Sequence, residues 1–124
     1  MILGVLAIAH LASPVSFSFT DPEPVMKAAV EGVTRVLESA SRAPSVKHFV
    51  LMSSIVAIGT PSATDHVYTE DQWNDESEAI VAREGKKAPG VAIYAASKAA
   101  SERAFWKYRD EHKPHFTQTA INPV

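Results

Sequence analysis

A phenol and a primary amine stand four residues apart in Tyr94-Ala95-Ala96-Ser97-Lys98. On a helix this spacing puts both on one face, one turn from each other. A phenol can pass a proton to a carbonyl oxygen, and a neighbouring ammonium favours the phenolate left behind. Beside a close opposite charge, tyrosine's reference value of about 10 falls by roughly one to three. Such pairs also occur on helix surfaces with no chemical role, so the surrounding elements must decide. Ser53-Ser54 is the second candidate, directly after the apolar run His48-Phe49-Val50-Leu51-Met52. Hydroxyls just beyond the C-terminal end of a parallel strand lie on the edge where α/β proteins hold ligands. Serines there also commonly bond nearby backbone.

The bulk properties narrow the classes. At 124 residues, 46% apolar and 21% charged, the chain has room for one small domain and enough apolar surface for a core. A net charge of −2 leaves no electrostatic footprint for nucleic acid or anionic membrane. There is no cysteine, which excludes a disulfide framework, a thiol nucleophile and cysteine-bound metal, and fits a reducing compartment. The expected location is therefore cytoplasmic. The N-terminal MILGVLAIAHL is too short to span a bilayer, and the first basic residue is Lys27. A buried strand, not a signal peptide, is the expectation.

The elements that must position Ser54, Tyr94 and Lys98 follow from patterning. Residues 5–11 are almost all apolar, as in a strand covered on both faces. His10 lies near its end, as a packed or backbone-bonded residue, and Ser13-Pro14 opens a loop. Thr20-Asp21-Pro22-Glu23 is a helix start, with a cap, a first-turn proline and an acid at the positive end of the dipole. Val25, Ala29, Val33, Val36, Leu37 and Ala40 then form a stripe of period 3.6, ending near residue 43 before Pro44. Gly32 inside this helix suggests close approach of a neighbour. Residues 48–52 read as a second buried strand, and 60–90 as an irregular functional or flexible loop with mixed charges and Trp73. The alanine-rich helix with Tyr94 and Lys98 should run over 91–112, and residues 115–121 alternate as a third strand. Phe105, Trp106 and Tyr108 suit a core or interface. His112 and His115 straddle Pro114, so no metal site is assigned.

In this order the motifs resemble the extended branch of the short-chain dehydrogenase/reductase family, which includes NAD-dependent epimerases and dehydratases. Within it the chain is most similar to the dihydroflavonol-reductase and fungal aldehyde (carbonyl) reductase group. The resemblance rests on His10-Leu11-Ala12-Ser13-Pro14, Val50-Leu51-Met52-Ser53-Ser54, Trp73 after Tyr68-Thr69-Glu70-Asp71-Gln72, Tyr94-Ala95-Ala96-Ser97-Lys98 and Ile121-Asn122-Pro123. It implies an α/β fold: the second half of a doubly wound, Rossmann-type parallel sheet, with three strands and two main crossover helices, incomplete. Residues 1–124 would form one partial NAD(P)-binding domain. It further implies reduction of an aldehyde or ketone with NADP or NAD. Ser54 would bond the substrate oxygen, Tyr94 would be the general acid, and Lys98 would tune Tyr94 and hold the nicotinamide ribose. Ala12, Ser13, Pro14 and Ser53 would line the cofactor, with Pro123 and Val124 at its nicotinamide end.

Departures from the family pattern set further expectations. No two of the five glycines, at 4, 32, 59, 85 and 90, are close enough for the Gly-rich fingerprint that cradles a pyrophosphate. The three strands correspond to the fourth, fifth and sixth of the dinucleotide fold, so the first would have an exposed edge, a site for self-association. Two absent βα units amount to roughly 60 residues or more. The chain reads as part of a reductase, expected to be inactive alone. A non-catalytic interaction module reusing half the fold, and a sugar-nucleotide epimerase or dehydratase, are the alternatives.

Overall fold

A computed structural model describes residues 4–124. Residues 1–3 of the N-terminal apolar run lie outside the described residues. The strands are β1 (Ala7–His10), β2 (His48–Met52) and β3 (Thr117–Ile121), and the helices are α1 (Pro22–Ser41), α2 (Asp75–Glu84) and α3 (Gly90–His112). The strands form one parallel sheet in the order β1-β2-β3. Phe49 stands opposite Ile8 and Gln118, and Leu51 opposite His10 and Ala120. This is the α/β, Rossmann-like arrangement expected from the motif order.

α1 starts where its signals stand. Asp21 is the N-cap, its side chain accepts from the Glu23 N–H at 3.1 Å, and Pro22 occupies the first turn. Val25, Ala29, Val33, Leu37 and Ala40 are buried on one face, while Val36 is only partly covered. α1 and α3 both lie on the Phe49–Leu51 side of the sheet. The shared core there contains Val33, Leu37, Val46, Phe49, Leu51, Phe105, Tyr108 and Phe116. The Phe49 ring packs 5.8 Å from that of Phe105 and 6.0 Å from that of Phe116. Tyr108 closes the edge of this core with a 2.6 Å hydrogen bond to the Ser41 hydroxyl.

Four expectations need correction. β1 is not covered on both faces: Ala7 and Ala9 are exposed, and Ile8 and His10 are half-buried. Among the described residues helices cover only the Phe49 side, so the side chains that alternate onto the other face are left uncovered. β2 is likewise fully buried only at Phe49 and Leu51. Residues 60–90 are not merely irregular. They contain α2, capped by the Asn74 side chain, with Asp75, Glu76 and Glu78 in its first turn. A short, highly charged helix lacks the broad apolar stripe that would announce it. Gly32 faces open space, so close packing does not explain it.

The close approach falls at Gly90. A Cβ there would overlap the Phe17 carbonyl and come within 2.9 Å of the Phe19 nitrogen. The segment leaving β1 thus lies directly against the start of α3. Among the described residues no helix is long and apolar enough to cross a membrane.

Candidate active site

The ends of the strands assemble the site. β2 and β3 stay paired past their last residues: the Ser53 N–H bonds the Ile121 carbonyl at 2.8 Å, and the Ile55 N–H bonds the Pro123 carbonyl at 2.9 Å. Ser53-Ser54 and Asn122-Pro123 are therefore side by side on the C-terminal edge. Ser54 caps a short 3₁₀ turn, Ile55–Ala57, accepting from the Val56 N–H at 3.3 Å. The hydroxyls of the pair diverge. That of Ser53 is buried and donates to the Glu102 carboxylate, while Ser54 is only half-buried.

α3 brings the phenol and the amine to this edge. Residues 92–99 are all buried, because this helix is covered by α1, α2, the sheet end and the 3₁₀ turn together. Alanines at 92, 95, 96 and 99 allow those approaches, whereas bulky side chains would hold the neighbours off. Tyr94 is 9% exposed, with the ring of Phe17 edge-on at 5.4 Å. Its hydroxyl takes part in none of the hydrogen bonds found among the described residues. One turn on, Lys98 is 6% exposed and donates from Nζ to the Met52 carbonyl at 3.2 Å. That bond fixes the amine at the C-terminal end of β2. Burial pushes the Lys98 ammonium below its ordinary value, and the carboxylate of Glu102 partly opposes this. His10, at the end of β1, is held below its ordinary value by burial and then by the charge of Lys98.

The structure thus brings Ser54, Tyr94 and Lys98 to one edge of the sheet, with Pro123 beside them. Ala12, Ser13 and Pro14 follow directly from β1, where Ala12 is exposed and Ser13 and Pro14 are half-buried. Val124 is fully exposed. Trp73 lies under the guanidinium of Arg103 at 4.3 Å. Arg103 in turn pairs with Asp75 at 2.6 Å and Glu78 at 2.9 Å, tying α2 to α3. An open cleft of about 480 Å³ runs between Trp73, Trp106, Glu102 and Asn122.

Sequence reasoning passed over Glu102, Phe17, Gly90 and Asn74. Glu102 had a legible signal, since it stands four residues after Lys98 and shares its helix face. Phe17 and Gly90 had none, because their contacts join segments distant in the chain.

Comparison with known proteins gives the family and the fold. The family model described as the NAD dependent epimerase/dehydratase family matches residues 2–121. Aldehyde reductase 2 of Sporidiobolus salmonicolor is 42% identical over 127 residues, covering 99% of this chain and 37% of that protein. An anthocyanidin reductase of Vitis vinifera is 37% identical over 114 residues, 90% of this chain and 32% of that protein. Among solved structures, yeast methylglyoxal/isovaleraldehyde reductase complexed with NADPH superposes with a TM-score of 0.81 at 30% identity, over 97% of this chain and 36% of that one. The chain spans about a third of the length of these relatives.

Proposed function

The chain belongs to the NAD dependent epimerase/dehydratase family, and from that premise we propose that it carries the proton-handling part of a site that reduces an aldehyde or ketone to an alcohol with NAD(P)H. One observation carries the reading. Lys98 is buried and anchored to the end of β2, one helical turn from a phenol with no protein partner among the described residues. Burying an amine costs free energy that packing alone does not repay. A role in holding charge beside Tyr94 accounts for it.

In this reading the cofactor supplies the hydride to the carbonyl carbon. Ser54 donates a hydrogen bond to the substrate oxygen and orients it. Tyr94 donates its phenolic proton to that oxygen as negative charge develops there. The Lys98 ammonium stabilises the charge left on the phenol oxygen, which then regains a proton from water. Lys98 also has donors for ribose hydroxyls. In this reading Ala12, Ser13 and Pro14 line the cofactor, with Pro123 and Val124 at its nicotinamide end, whereas the Ser53 hydroxyl expected beside them is buried on Glu102 and is not offered to it. The residues present fit the nicotinamide half of a dinucleotide. No pair of glycines is spaced to cradle a pyrophosphate, so these 124 residues alone should bind NADPH negligibly. The small-carbonyl relatives favour reduction over sugar-nucleotide epimerisation.

The test uses the site completed by the remaining two-thirds of a relative's chain, joined in register. Tyr94→Phe should lower NADPH-dependent carbonyl turnover by about 10²–10⁴-fold. Unchanged turnover would refute the assignment. For the 124 residues alone, calorimetry with NADPH should give no saturable heat, and micromolar binding would overturn that part.

A second reading, self-association, is favoured by an outer edge of β1 and a face carrying Ala7, Ala9 and Ile121 that are left unpaired and uncovered among the described residues. Light scattering showing only monomer across a wide concentration range would count against it.

A further inference from the structure

Glu102 is a carboxylate buried to 5% exposure on α3, and the proton-transfer scheme above does not use it. Three side-chain donors converge on it. The Ser53 hydroxyl comes from the end of β2, the Asn122 amide from just after β3 at 2.8 Å, and the Trp106 indole from the next turn of α3 at 3.4 Å. The Asn122 amide also donates to the Ser54 carbonyl at 3.1 Å. One acid therefore touches both strand ends that carry Ser54 and Pro123, from the helix that carries Tyr94 and Lys98. All three partners donate, which suits an acceptor-only carboxylate.

We propose that Glu102 is a positioning residue for the Ser54–Tyr94–Lys98 site, fastening the ends of β2 and β3 to α3 and facing the Lys98 amine from one turn away. This rests on the functional reading given above. The physical need is twofold. Backbone pairing holds the ends of β2 and β3 to each other but not to a helix, so their register against α3 must come from side chains. A buried amine also drifts toward its neutral form, which could neither stabilise a phenolate nor bind ribose hydroxyls as a cation. Burial does depress Lys98, and Glu102 is the group that opposes it. The other ionisable groups facing Lys98 are His10 from β1 and Tyr94 on its own helix; β2 presents the Met52 carbonyl. Of these neighbours, Glu102 alone is an acid with a carboxylate charge.

The experiment follows the Lys98 Cε carbon by NMR through a pH titration of the full 124-residue chain, which needs no catalytic activity. In Glu102→Gln, the Lys98 midpoint should fall by about one pH unit, giving about tenfold more neutral amine at a fixed pH below it. Glu102→Asp, which keeps the charge on a shorter arm, should lie between the two. A purely structural clasp would not order the three midpoints in this way. An unmoved Lys98 midpoint in a folded Glu102→Gln chain would overturn the proposal. Should that variant not fold, Glu102→Asp carries the test, and an unmoved Lys98 midpoint there would overturn the proposal instead. The functional reading fails separately, through unchanged turnover of Tyr94→Phe in the completed enzyme.

Discussion

The ring of Phe17 stands edge-on to the ring of Tyr94, 5.4 Å between centroids and 89° between planes. Phe17 itself is 68% exposed, so it acts as a shield on the candidate acid and not as part of the core. Its backbone lies against Gly90, one turn earlier on α3. The segment that leaves β1 is thus seated on the helix at both its backbone and its ring.

Gly90→Ala should unseat that segment. The overlap is with backbone, which cannot rotate away as a side-chain tip can, and overpacking of this kind costs about 1–3 kcal/mol. Hydrogen exchange should show faster exchange in residues 11–21 while the amides of α1 and β2 keep their protection. Equal protection throughout would show that the segment yields freely.

Asn74 should matter more than a surface cap. It is 2% exposed; its amide donates to the Val56 carbonyl at 2.7 Å, and its oxygen accepts from the Ser77 N–H at 3.0 Å. Asn74→Ala leaves both groups unpaired and should cost about 1–3 kcal/mol in urea denaturation. Asn74→Asp keeps the cap oxygen and loses the donor, so it should fall between.

Phe49→Ala should be the most damaging of these changes. Phe49 is fully buried between Phe105 and Phe116, at the centre of a core that joins sheet and helices. A loss of about 3–5 kcal/mol is expected, measured as a lower urea midpoint or, if stability is exhausted, as an unfolded circular dichroism spectrum.

His10 should make stability pH-dependent in the acid range. Burial first, and the Lys98 charge second, hold it below 6.5 in the folded chain. The unfolded state then binds the proton more readily, so stability rises with pH up to 6.5 and the penalty is full below the folded value. The stability of wild type minus His10→Asn should therefore increase between acid pH and neutrality. A difference that stays flat, or falls, would contradict the sign.

Much of the fold was readable in sequence because its signals are local. Asp21 and Pro22 start α1, the stripe from Val25 to Ala40 turns one face inward, and Pro114 follows the end of α3. β2 was readable to the residue, since an apolar run bounded by polar residues marks a strand at short range. α2 was hidden: its stabilising contacts run from Arg103 to Asp75 and Glu78, far along the chain. Coverage of β1 could not be read either, because an apolar run states only that a face can be buried. Whether anything covers it depends on which elements lie beside it.

The candidate site divides the same way. By itself, the sequence determined that Tyr94 and Lys98 share a helix face and that serines follow β2, because helical and strand geometry translate spacing directly into direction. Only the tertiary structure decided that Lys98 bonds the Met52 carbonyl, that Phe17 shields Tyr94, and that Glu102 gathers Ser53 and Asn122 from 49 and 20 residues away. The reason is physical. A contact between distant residues depends on where every intervening element packs, and no spacing along the chain encodes that position.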